Sequence, residues 1–350
     1  MRAIRVSTLD GVDALTLEDI PPPTPGPGEV RIKVYVGGIN FPDLLMSEGK
    51  YQFKAPLPFT PGLEAAGEVI ELGEGVTRFK PGDRVMGFFD YGAFAEEAVV
   101  EEKFLMAVPD GMSWEMAGGF VLTHTTSHAA LVHERVNLQA GEVLLVHGAA
   151  GGVGTTAVQI GKALDCTVVA TAGSDDKAQF ALDNGADYAI NYTTEEIRTR
   201  VKDLVGGADV VYDPVSGNAF TQSLRCINFE GRIIIIGFAS GTIADAPANY
   251  VLVKNISIVG FPVGTYRRTS PEVLLRSYSG LSEMWAAGHL KPQQSHVFPL
   301  EETPEAIKAL RASVSTAGRP IAVIGDGGIG AAPLMATLQP DVVHMIPRSV

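Results

Sequence analysis

From about residue 122, short apolar runs alternate with segments in which apolar residues recur at helical spacing. The apolar runs lie at residues 143–147, 167–171, 209–212, 232–237 and 256–260, and the segments between them include TTAVQIGKALD, DDKAQFALDNG and GNAFTQSLRCIN. This alternation of strands and helices predicts an α/β fold with a parallel sheet covered on both faces. The run GRIIIIG fits this prediction, because a strand buried on both faces does not alternate polar and apolar residues.

The first 121 residues have a different pattern. Stretches such as EVRIKVYVGGIN and AAGEVIELG alternate or contain β-branched residues, and turns rich in glycine and proline separate them. Short strands with such turns predict a small β-rich, barrel-like unit. Residues 262–326 mix both patterns, with a predicted helix at about 271–287 and a late strand in PIAVIG. Residues 327–350 have weak periodicity, and we predict no structure for them.

Composition and charge limit the possible partners. A length of 350 residues fits two domains. The net charge of −13 argues against a broad surface for nucleic acid or anionic lipid. No apolar run approaches the roughly 18 residues that a membrane span needs, and the beginning of the chain lacks the apolar core of a secretory signal. Two distant cysteines, Cys166 and Cys226, predict neither a disulfide scaffold nor a cysteine-built zinc lobe. We therefore expect a cytoplasmic protein.

A run of small residues, GAAGGVG from Gly148 to Gly154, follows the first apolar run of the α/β region and opens a helical segment. The dinucleotide-binding fingerprint is Gly-x-Gly-x-x-Gly, and here Ala149 replaces its first glycine. Small residues let backbone N–H groups approach a ligand, and the start of a helix favours a phosphate there. The alternative is a tight turn that only packs strand against helix. The surrounding strand-helix units favour the nucleotide site.

The end of the next strand indicates which dinucleotide is preferred. NAD sites usually place an acidic residue there, about 20 residues after the glycine turn, to bind the ribose hydroxyls. In this chain CTVVA is followed by Thr171-Ala172-Gly173-Ser174, with Lys177 within a turn. Small residues leave space for a 2′-phosphate and a lysine can neutralise it, so we predict NADPH. The alternative is an ordinary solvated helix lysine.

With these residues placed, the sequence resembles the zinc-independent quinone oxidoreductases of the medium-chain dehydrogenase/reductase superfamily, the group that includes zeta-crystallin. The resemblance covers residues 1 to about 326 and rests on eight motifs in the same order. They are GINFPDLL, PGLEAAGEV, KPGDRV, LVHGAAGGVGTTAVQIGKA, NGADYAINY, YDPVSG, GRIIIIGFASG and GRPIAVIG.

The resemblance implies two domains and an assembly. Residues 1–121 and 262–326 would form a GroES-like substrate domain, and residues 122–261 a Rossmann domain that binds NADPH. The tail, 327–350, extends past the family's usual end. Members are commonly homodimers or homotetramers joined through their Rossmann sheets, and the apolar segment NISIVGFPVG would be the edge at which two copies meet.

The resemblance also bears on metal. The zinc-dependent alcohol dehydrogenases of the superfamily have a cysteine and a histidine ligand where this chain has Phe41 and Leu63, neither of which can bind zinc. The chemistry left for NADPH is hydride transfer to an electron-poor acceptor, a quinone or an α,β-unsaturated carbonyl. His124 and His128 in HTTSH would share a helical face. The glutamate of a zinc-protease motif is missing, so packing or helix-start hydrogen bonding is the expected role of this pair.

By resemblance, Asn40 and Tyr51 are the catalytic candidates. The Asn40 amide would lie near the nicotinamide and donate to developing oxyanion charge, or it is only a turn residue before Pro42. Tyr51 would line the substrate cleft, or it is a buried amphipathic side chain. The second tyrosine often seen in the family is replaced by Leu45. No acid or base stands out, so we expect solvent or a ribose hydroxyl to supply the proton.

The remaining candidates would bind the cofactor. Thr125 matches a threonine near it, although it could instead cap its helix. Loops at strand ends would bind the rest of the cofactor. The alternative is that they only connect strands to helices. The cofactor candidates are Asn40, Thr125, Ala150, Gly151, Gly152, Val153, Gly173, Ser174, Lys177, Tyr192, Val215, Phe238, Ala239, Ser240, Phe261 and Val263.

Two other functions fit the same residues. An enoyl-thioester reductase could use Arg267 and Arg268 to meet a coenzyme A phosphate, although such arginines are more often solvated. A non-catalytic NADPH-binding protein, such as a recruited crystallin or an RNA-binding member, is the second. The acidic net charge argues against the RNA-binding variant.

Overall fold

The computed structural model describes residues 1–293, 296–316 and 321–324. Its strands are β1 (Arg2–Val6), β2 (Leu15–Asp19), β3 (Glu29–Ile39), β4 (Glu64–Leu72), β5 (Arg84–Phe88), β6 (Glu97–Glu101), β7 (Leu105–Ala107), β8 (Val143–Val146), β9 (Thr167–Ala172), β10 (Tyr188–Asn191), β11 (Ala208–Asp213), β12 (Ile227–Ile235), β13 (Ser257–Gly260), β14 (His296–Pro299) and β15 (Ile321–Ile324).

The α-helices are α1 (Phe41–Ser47), α2 (Trp114–Gly118), α3 (Val121–Val132), α4 (Gly152–Ala163), α5 (Asp175–Asp183), α6 (Ile197–Val205), α7 (Asn218–Cys226), α8 (Ala248–Lys254), α9 (Val263–Thr269), α10 (Glu272–Ala286) and α11 (Thr303–Thr316). Short 3-10 turns lie at Val12–Ala14, Glu102–Phe104 and Leu300–Glu302. Helix α10 confirms the helix that was predicted at about 271–287. No helix of the described residues is long and apolar enough to cross a bilayer.

Strands β8 to β13 form the predicted parallel sheet, in the order β10-β9-β8-β11-β12-β13. This is the doubly wound order of a Rossmann fold, which reverses direction between β8 and β11. Alternate residues of the central strands enter two apolar clusters on opposite faces of the sheet. In β11, for example, Val210 and Tyr212 belong to one cluster and Val211 to the other. The predicted α/β class is thereby confirmed.

A second sheet has mainly antiparallel pairing. Its order is β14-β15-β3-β4-β5-β7, with β6 paired to the other end of the long strand β3. Strands β1 and β2 form a hairpin beside it. This arrangement is the GroES-like unit that the resemblance implied, and β15 confirms the late strand in PIAVIG. The boundaries at 121 and 262 stay predictions, and the tail at 327–350 lies outside the described residues.

Helix α3 connects the two sheets. It lies against α4 of the Rossmann unit and against α10, where His128 Nδ1 is 3.1 Å from Ser277 Oγ. Eleven of its twelve residues are buried, so the helix belongs to the apolar core that runs between the two sheets. A ligand bound at the start of α3 would therefore lie next to both units.

Candidate active site

Apart from Asn40 and Thr125, the predicted cofactor residues lie along one edge of the parallel sheet. The glycine turn follows β8, Gly173 and Ser174 follow β9, and Tyr192 follows β10. On the other side of the reversal, Val215 follows β11, residues 238–240 follow β12 and Phe261 follows β13. The carboxyl ends of parallel strands share one edge, and ligands of open α/β sheets bind in the crevice at the reversal. The fold thus brings these candidates together.

Close packing explains the small residues of the glycine turn. Gly148 has φ +58°, and a β-carbon at Gly154 would lie 2.1 Å from the Gly148 carbonyl oxygen. Gly151 precedes the first residue of α4 with extended backbone. The hydroxyl of Thr155 donates to the Ala149 carbonyl at 3.0 Å and fixes the turn from inside. Strand and helix therefore meet so closely that the first backbone N–H groups of α4 face the crevice.

The end of β9 forms a small polar pocket. Ser174 caps α5, and its hydroxyl oxygen accepts the Lys177 backbone N–H at 3.3 Å. Lys177 is half-buried, and burial lowers the pKa of its ammonium group. Tyr192, from the end of β10, is 46% exposed. The Asp175 carboxylate turns aside and accepts from the Asn191 amide at 2.7 Å. Lys177, Ser174 and Tyr192 thus follow the neighbouring strands β9 and β10 and define the candidate 2′-phosphate pocket.

Asp213 fixes the loop after β11. Its Oδ1 accepts the backbone N–H groups of Val215 and Ser216, both at 2.8 Å. The loop after β12 is attached to this loop, because Ala239 N–H donates to Pro214 O and Ser240 N–H to Val215 O, both at 3.0 Å. Asp213 was not among the site residues predicted from the sequence. The signal was an aspartate between an apolar strand and a proline, a pattern typical of side-chain capping of a turn.

The loop after β13 combines a buried ring with the half-buried start of a helix. Phe261 is 2% exposed and stacks on Tyr266 with ring centroids 4.6 Å apart. Its backbone N–H donates to the Ile235 carbonyl. Val263 begins α9, and Phe238 on the neighbouring loop is 43% exposed. The Phe261 side chain is therefore part of the core, and only its backbone remains a candidate contact.

Thr125 lies inside α3, four residues after its start, so the alternative that it caps the helix is wrong. Its side chain is fully buried, and its hydroxyl oxygen has no hydrogen-bond partner among the described residues. A buried hydroxyl without a partner costs free energy, about 1–3 kcal/mol. An external polar group in the crevice could remove that cost.

Asn40 differs from the expectation. Its amide nitrogen donates to Glu64 Oε1 at 2.7 Å and to the Gly38 carbonyl at 3.2 Å. An amide nitrogen has two hydrogens, so neither is left for a substrate oxyanion. Asn40 also begins α1, with its backbone N–H bonded to Asp43 Oδ2 at 2.8 Å. The predicted donor role is wrong in this arrangement, because both donors already have internal acceptors.

Two buried carboxylates support Asn40, and neither was predicted from the sequence. Glu64 is 1% exposed and Asp43 is fully buried. Burial raises the pKa of Glu64 to about 7, against the opposing effect of hydrogen bonds from Asn40 and the start of α3. Burial raises the pKa of Asp43 to about 8, and the charge of Glu64 adds to the shift. The signal for Glu64 was a carboxylate among apolar neighbours in PGLEAAG.

Tyr51 lies beside α9, at the border of the two units. A β-carbon at Gly264 would be 3.1 Å from the Tyr51 hydroxyl oxygen and 3.8 Å from Arg268 Nη1. Burial raises the pKa of the Tyr51 phenol, while the Arg268 charge acts in the opposite direction. Leu45 accepts the Tyr51 backbone N–H through its carbonyl. The phenol is therefore half-buried and stays protonated at neutral pH.

Arg267 is buried and Arg268 is exposed. Both guanidinium groups pair with the Asp90 carboxylate. Arg267 is 8% exposed, lies over the Phe104 ring at 4.0 Å, and donates to the Phe88 carbonyl. Arg268 lies over Phe53 at 4.9 Å. The expectation of a solvated arginine is wrong for Arg267, which is too buried to meet a coenzyme A phosphate, whereas Arg268 is exposed.

The two histidines of HTTSH contact different neighbours. His124 stacks on Phe120 at 4.0 Å, and its Nδ1 lies 2.9 Å from the Phe120 carbonyl oxygen. His128 faces α10. Burial lowers the pKa of His124 to about 3 and that of His128 to about 4, so both rings stay neutral. The packing role expected of this pair is confirmed.

Family models and known proteins match the chain over both units. The model described as alcohol dehydrogenase GroES-like domain matches residues 26–110, and the zinc-binding dehydrogenase model matches residues 152–279. Quinone oxidoreductase-like protein 2 of Bos taurus is 40% identical over 295 residues, 83% of this chain and 84% of that protein. Quinone oxidoreductase of Sus scrofa is 32% identical over 328 residues, 93% of this chain and 98% of that protein.

A solved structure shows the same arrangement. The crystal structure of Escherichia coli quinone oxidoreductase complexed with NADPH matches with a TM-score of 0.84 and 29% identity, covering 93% of this chain and 100% of that chain. A GroES-like sheet joined to a Rossmann sheet is the architecture of the medium-chain dehydrogenases/reductases. Within that superfamily, the chain belongs to the quinone oxidoreductase family.

Proposed function

We propose that this protein is an NADPH-dependent reductase that transfers a hydride to a quinone or another α,β-unsaturated carbonyl acceptor. The observation that supports the cofactor choice is the pocket after β9. It presents Lys177, the Ser174 hydroxyl and Tyr192, and the residues from Thr171 to Ser174 at the end of β9 include no carboxylate. A 2′-phosphate fits such a pocket better than free ribose hydroxyls do.

The residues present fit the rest of the dinucleotide. The first N–H groups of α4 face the crevice and would bind the pyrophosphate. Residues 238–240 and the backbone at Phe261 would bind the nicotinamide half. Two buried polar atoms of α3, His124 Nε2 and Thr125 Oγ1, have no hydrogen-bond partner among the described residues, and such a ligand would satisfy the Thr125 hydroxyl. When bound, NADPH supplies the hydride, and the chain positions the ring and the acceptor.

We further propose that the reaction needs no zinc. Phe41 and Leu63 replace the two ligands of the zinc-dependent relatives, and Leu63 is buried in the apolar core. Among the described residues no three histidine, cysteine or carboxylate side chains cluster as a metal site. Because the donors of Asn40 are already bonded, the acceptor must be activated by its own conjugation. The proton would come from solvent or a ribose hydroxyl, with Tyr51 lining the cleft.

The experiment is NADPH oxidation with a panel of acceptors, followed at the nicotinamide absorbance. The panel contains 1,4-benzoquinone, but-3-en-2-one and a crotonyl thioester, each with and without a chelator. Turnover of the quinone or the enone that resists the chelator supports the proposal. Preference for the thioester would favour the enoyl-thioester reductase, and tight NADPH binding without any turnover would favour the non-catalytic protein. Zinc bound in equal amount to the chain would refute the zinc-free site.

We also propose a homodimer or homotetramer that forms through the Rossmann sheet. Strand β13 is the last strand of that sheet, and the adjoining α8 presents Leu252 and Val253 at 81% and 75% exposure. An edge strand next to exposed apolar side chains is typical of a surface that pairs with another chain. The reducing cytoplasm remains the proposed compartment, which the free, buried Cys166 and Cys226 support.

A further inference from the structure

Glu64 connects the two units of the protein at the point where the proposed reaction takes place. It is the first residue of β4 in the GroES-like sheet, and its side chain is 1% exposed. One carboxylate oxygen, Oε1, accepts the Asn40 amide at 2.7 Å. The other, Oε2, accepts the backbone N–H of Leu122, in the first turn of α3, at 2.8 Å. One buried carboxylate thus joins the loop before α1 to the helix between the sheets.

The surroundings of Glu64 are built to accept this carboxylate. A β-carbon at Gly38 would lie 2.4 Å from Glu64 Oε1 and 2.6 Å from the Gly118 carbonyl oxygen. Glycine at this position therefore leaves the space in which the carboxylate lies. The start of a helix stabilises a negative charge, since its N–H groups have no partner within the helix. Both features fix the position of the carboxylate itself.

The bridge links Asn40 to the helix that contains the proposed cofactor contact Thr125. Thr125 follows Leu122 by one helical turn on α3, and Asn40 lies on the other side of the carboxylate. Asn40 follows a strand of the GroES-like sheet, whereas Thr125 lies on the helix between the two sheets. Among the described residues, the Asn40 side chain donates to Glu64 and to the Gly38 carbonyl, so its link to α3 runs through Glu64. Glu64 therefore supplies the side-chain hydrogen bonds that link Asn40 to the start of α3.

We propose that Glu64 is the positioning residue of this site, which holds Asn40 and the start of α3 at the spacing that the reaction requires. It touches neither cofactor nor acceptor and acts through its two hydrogen bonds. The inference rests on the proposed function, because reduction of the acceptor is its readout. Misplacement of reacting groups by about 1 Å can lower a rate on the order of 100-fold.

Glu64→Gln is a sharp test because it preserves size and removes one acceptor. The Gln amide must turn its NH₂ group toward either Asn40 or Leu122, both of which donate, so one hydrogen bond is lost. Asn40→Asp places a second carboxylate against Glu64. The exchanged pair Asn40→Asp with Glu64→Gln restores the bridge, because the Gln amide then donates to Asp and accepts from Leu122. Glu68→Gln is the matched control, four residues along the same strand, where the carboxylate accepts the Tyr35 hydroxyl at 3.5 Å.

We expect Glu64→Gln to lower kcat about 10- to 100-fold, with the Kd for NADPH within about threefold of the wild type. Asn40→Asp alone also lowers kcat, and the exchanged pair recovers to within about fivefold of the wild type. Glu68→Gln changes neither constant. Where Glu64→Gln alone does not fold, the exchanged pair and Asn40→Asp still provide the comparison.

Two outcomes would overturn the inference. One is an unchanged kcat in folded Glu64→Gln, and the other is an exchanged pair no more active than Asn40→Asp alone. Failure of the proposed function looks different, because a wild type that turns over no acceptor refutes the reaction. In that case the bridge is still tested by the fluorescence of bound NADPH, which reports the surroundings of the nicotinamide ring. Glu64→Gln and Asn40→Asp should then change that fluorescence, and the exchanged pair should bring it back toward the wild type. Equal spectra for the wild type and these variants would overturn the positioning role.

Discussion

The phenol of Tyr192 lies directly over Gly173. A β-carbon at position 173 would approach the Tyr192 hydroxyl oxygen to 2.7 Å and its ring carbon Cζ to 3.1 Å. The two residues follow neighbouring strands, β9 and β10, and the Tyr192 backbone N–H donates to the Ala172 carbonyl at 3.0 Å. Glycine at 173 therefore sets how closely the ring closes the pocket proposed for the 2′-phosphate.

Gly173→Ala should displace the Tyr192 ring and raise the Kd for NADPH about tenfold, because contacts below 3.0 Å force one partner to move. Fluorescence titration with NADPH measures the effect. The control is the same substitution in a Tyr192→Ala background, where no ring is left to displace and Gly173→Ala should add little. Equal losses in both backgrounds would contradict the steric explanation.

Lys177→Ala should discriminate between the two coenzymes. Loss of a half-buried cation beside the 2′-phosphate should weaken NADPH binding about tenfold and leave NADH binding unchanged. Lys202→Ala, on the exposed side of α6, is the matched control and should change neither. Competition titrations with both coenzymes measure this, and equal affinity of the wild type for NADPH and NADH would refute the phosphate pocket.

Local sequence patterns predicted the parts of the site that backbone geometry dictates. Apolar runs located β8, β9, β11, β12 and β13, and small residues located the turn before α4. Strand β10 was not among the predicted strands, since it has four residues of which the first is exposed and the second half-buried. A strand so short and half-exposed leaves little periodicity to detect.

The contacts that could not be predicted join residues far apart in the chain. Glu64 meets Asn40 and Leu122 across separations of 24 and 58 residues. Arg267 pairs with Asp90 across 177 residues. Their partners depend on how the two sheets pack, and a single sequence gives no local signal for that. The contact with Glu64 takes up an Asn40 donor that was expected to face a substrate oxyanion. The contact with Asp90 takes up Arg267, which was considered for a coenzyme A phosphate.

Thr125→Val should separate stability from binding. Valine has the shape of threonine but no hydroxyl, so removing an unpartnered buried oxygen should raise the free energy of unfolding by about 1 kcal/mol. The same change should weaken NADPH binding roughly three- to tenfold, because the bound molecule loses its partner. Thr126→Val on the same helix removes a hydroxyl that donates to the Leu122 carbonyl at 2.7 Å, and it should destabilise instead. Loss of stability in both variants would show that the Thr125 hydroxyl has a partner.

Asp43 predicts a dependence of stability on pH. Its pKa in the folded protein is raised from 3.8 to about 8, so between these values the folded state binds a proton that the unfolded state has released. The stabilisation is complete below pH 3.8 and is lost as pH rises toward about 8, at about 1.4 kcal/mol per pH unit. Asp43→Asn should flatten this decline, measured by urea denaturation at several pH values. Parallel curves for variant and wild type would contradict a buried, protonated Asp43.

Leu252→Glu should dissociate the proposed assembly. Leu252 is 81% exposed on α8, next to the terminal strand β13, and a charge buried in an apolar interface is strongly unfavourable. Light scattering after size exclusion should show the wild type as a dimer or tetramer and the variant shifted to half that mass or to the monomer. Leu182→Glu, at a 37% exposed site on α5 away from β13, is the control and should keep the wild-type mass. A wild type that is monomeric at micromolar concentration, or an unchanged mass in Leu252→Glu, would place the interface elsewhere or exclude it.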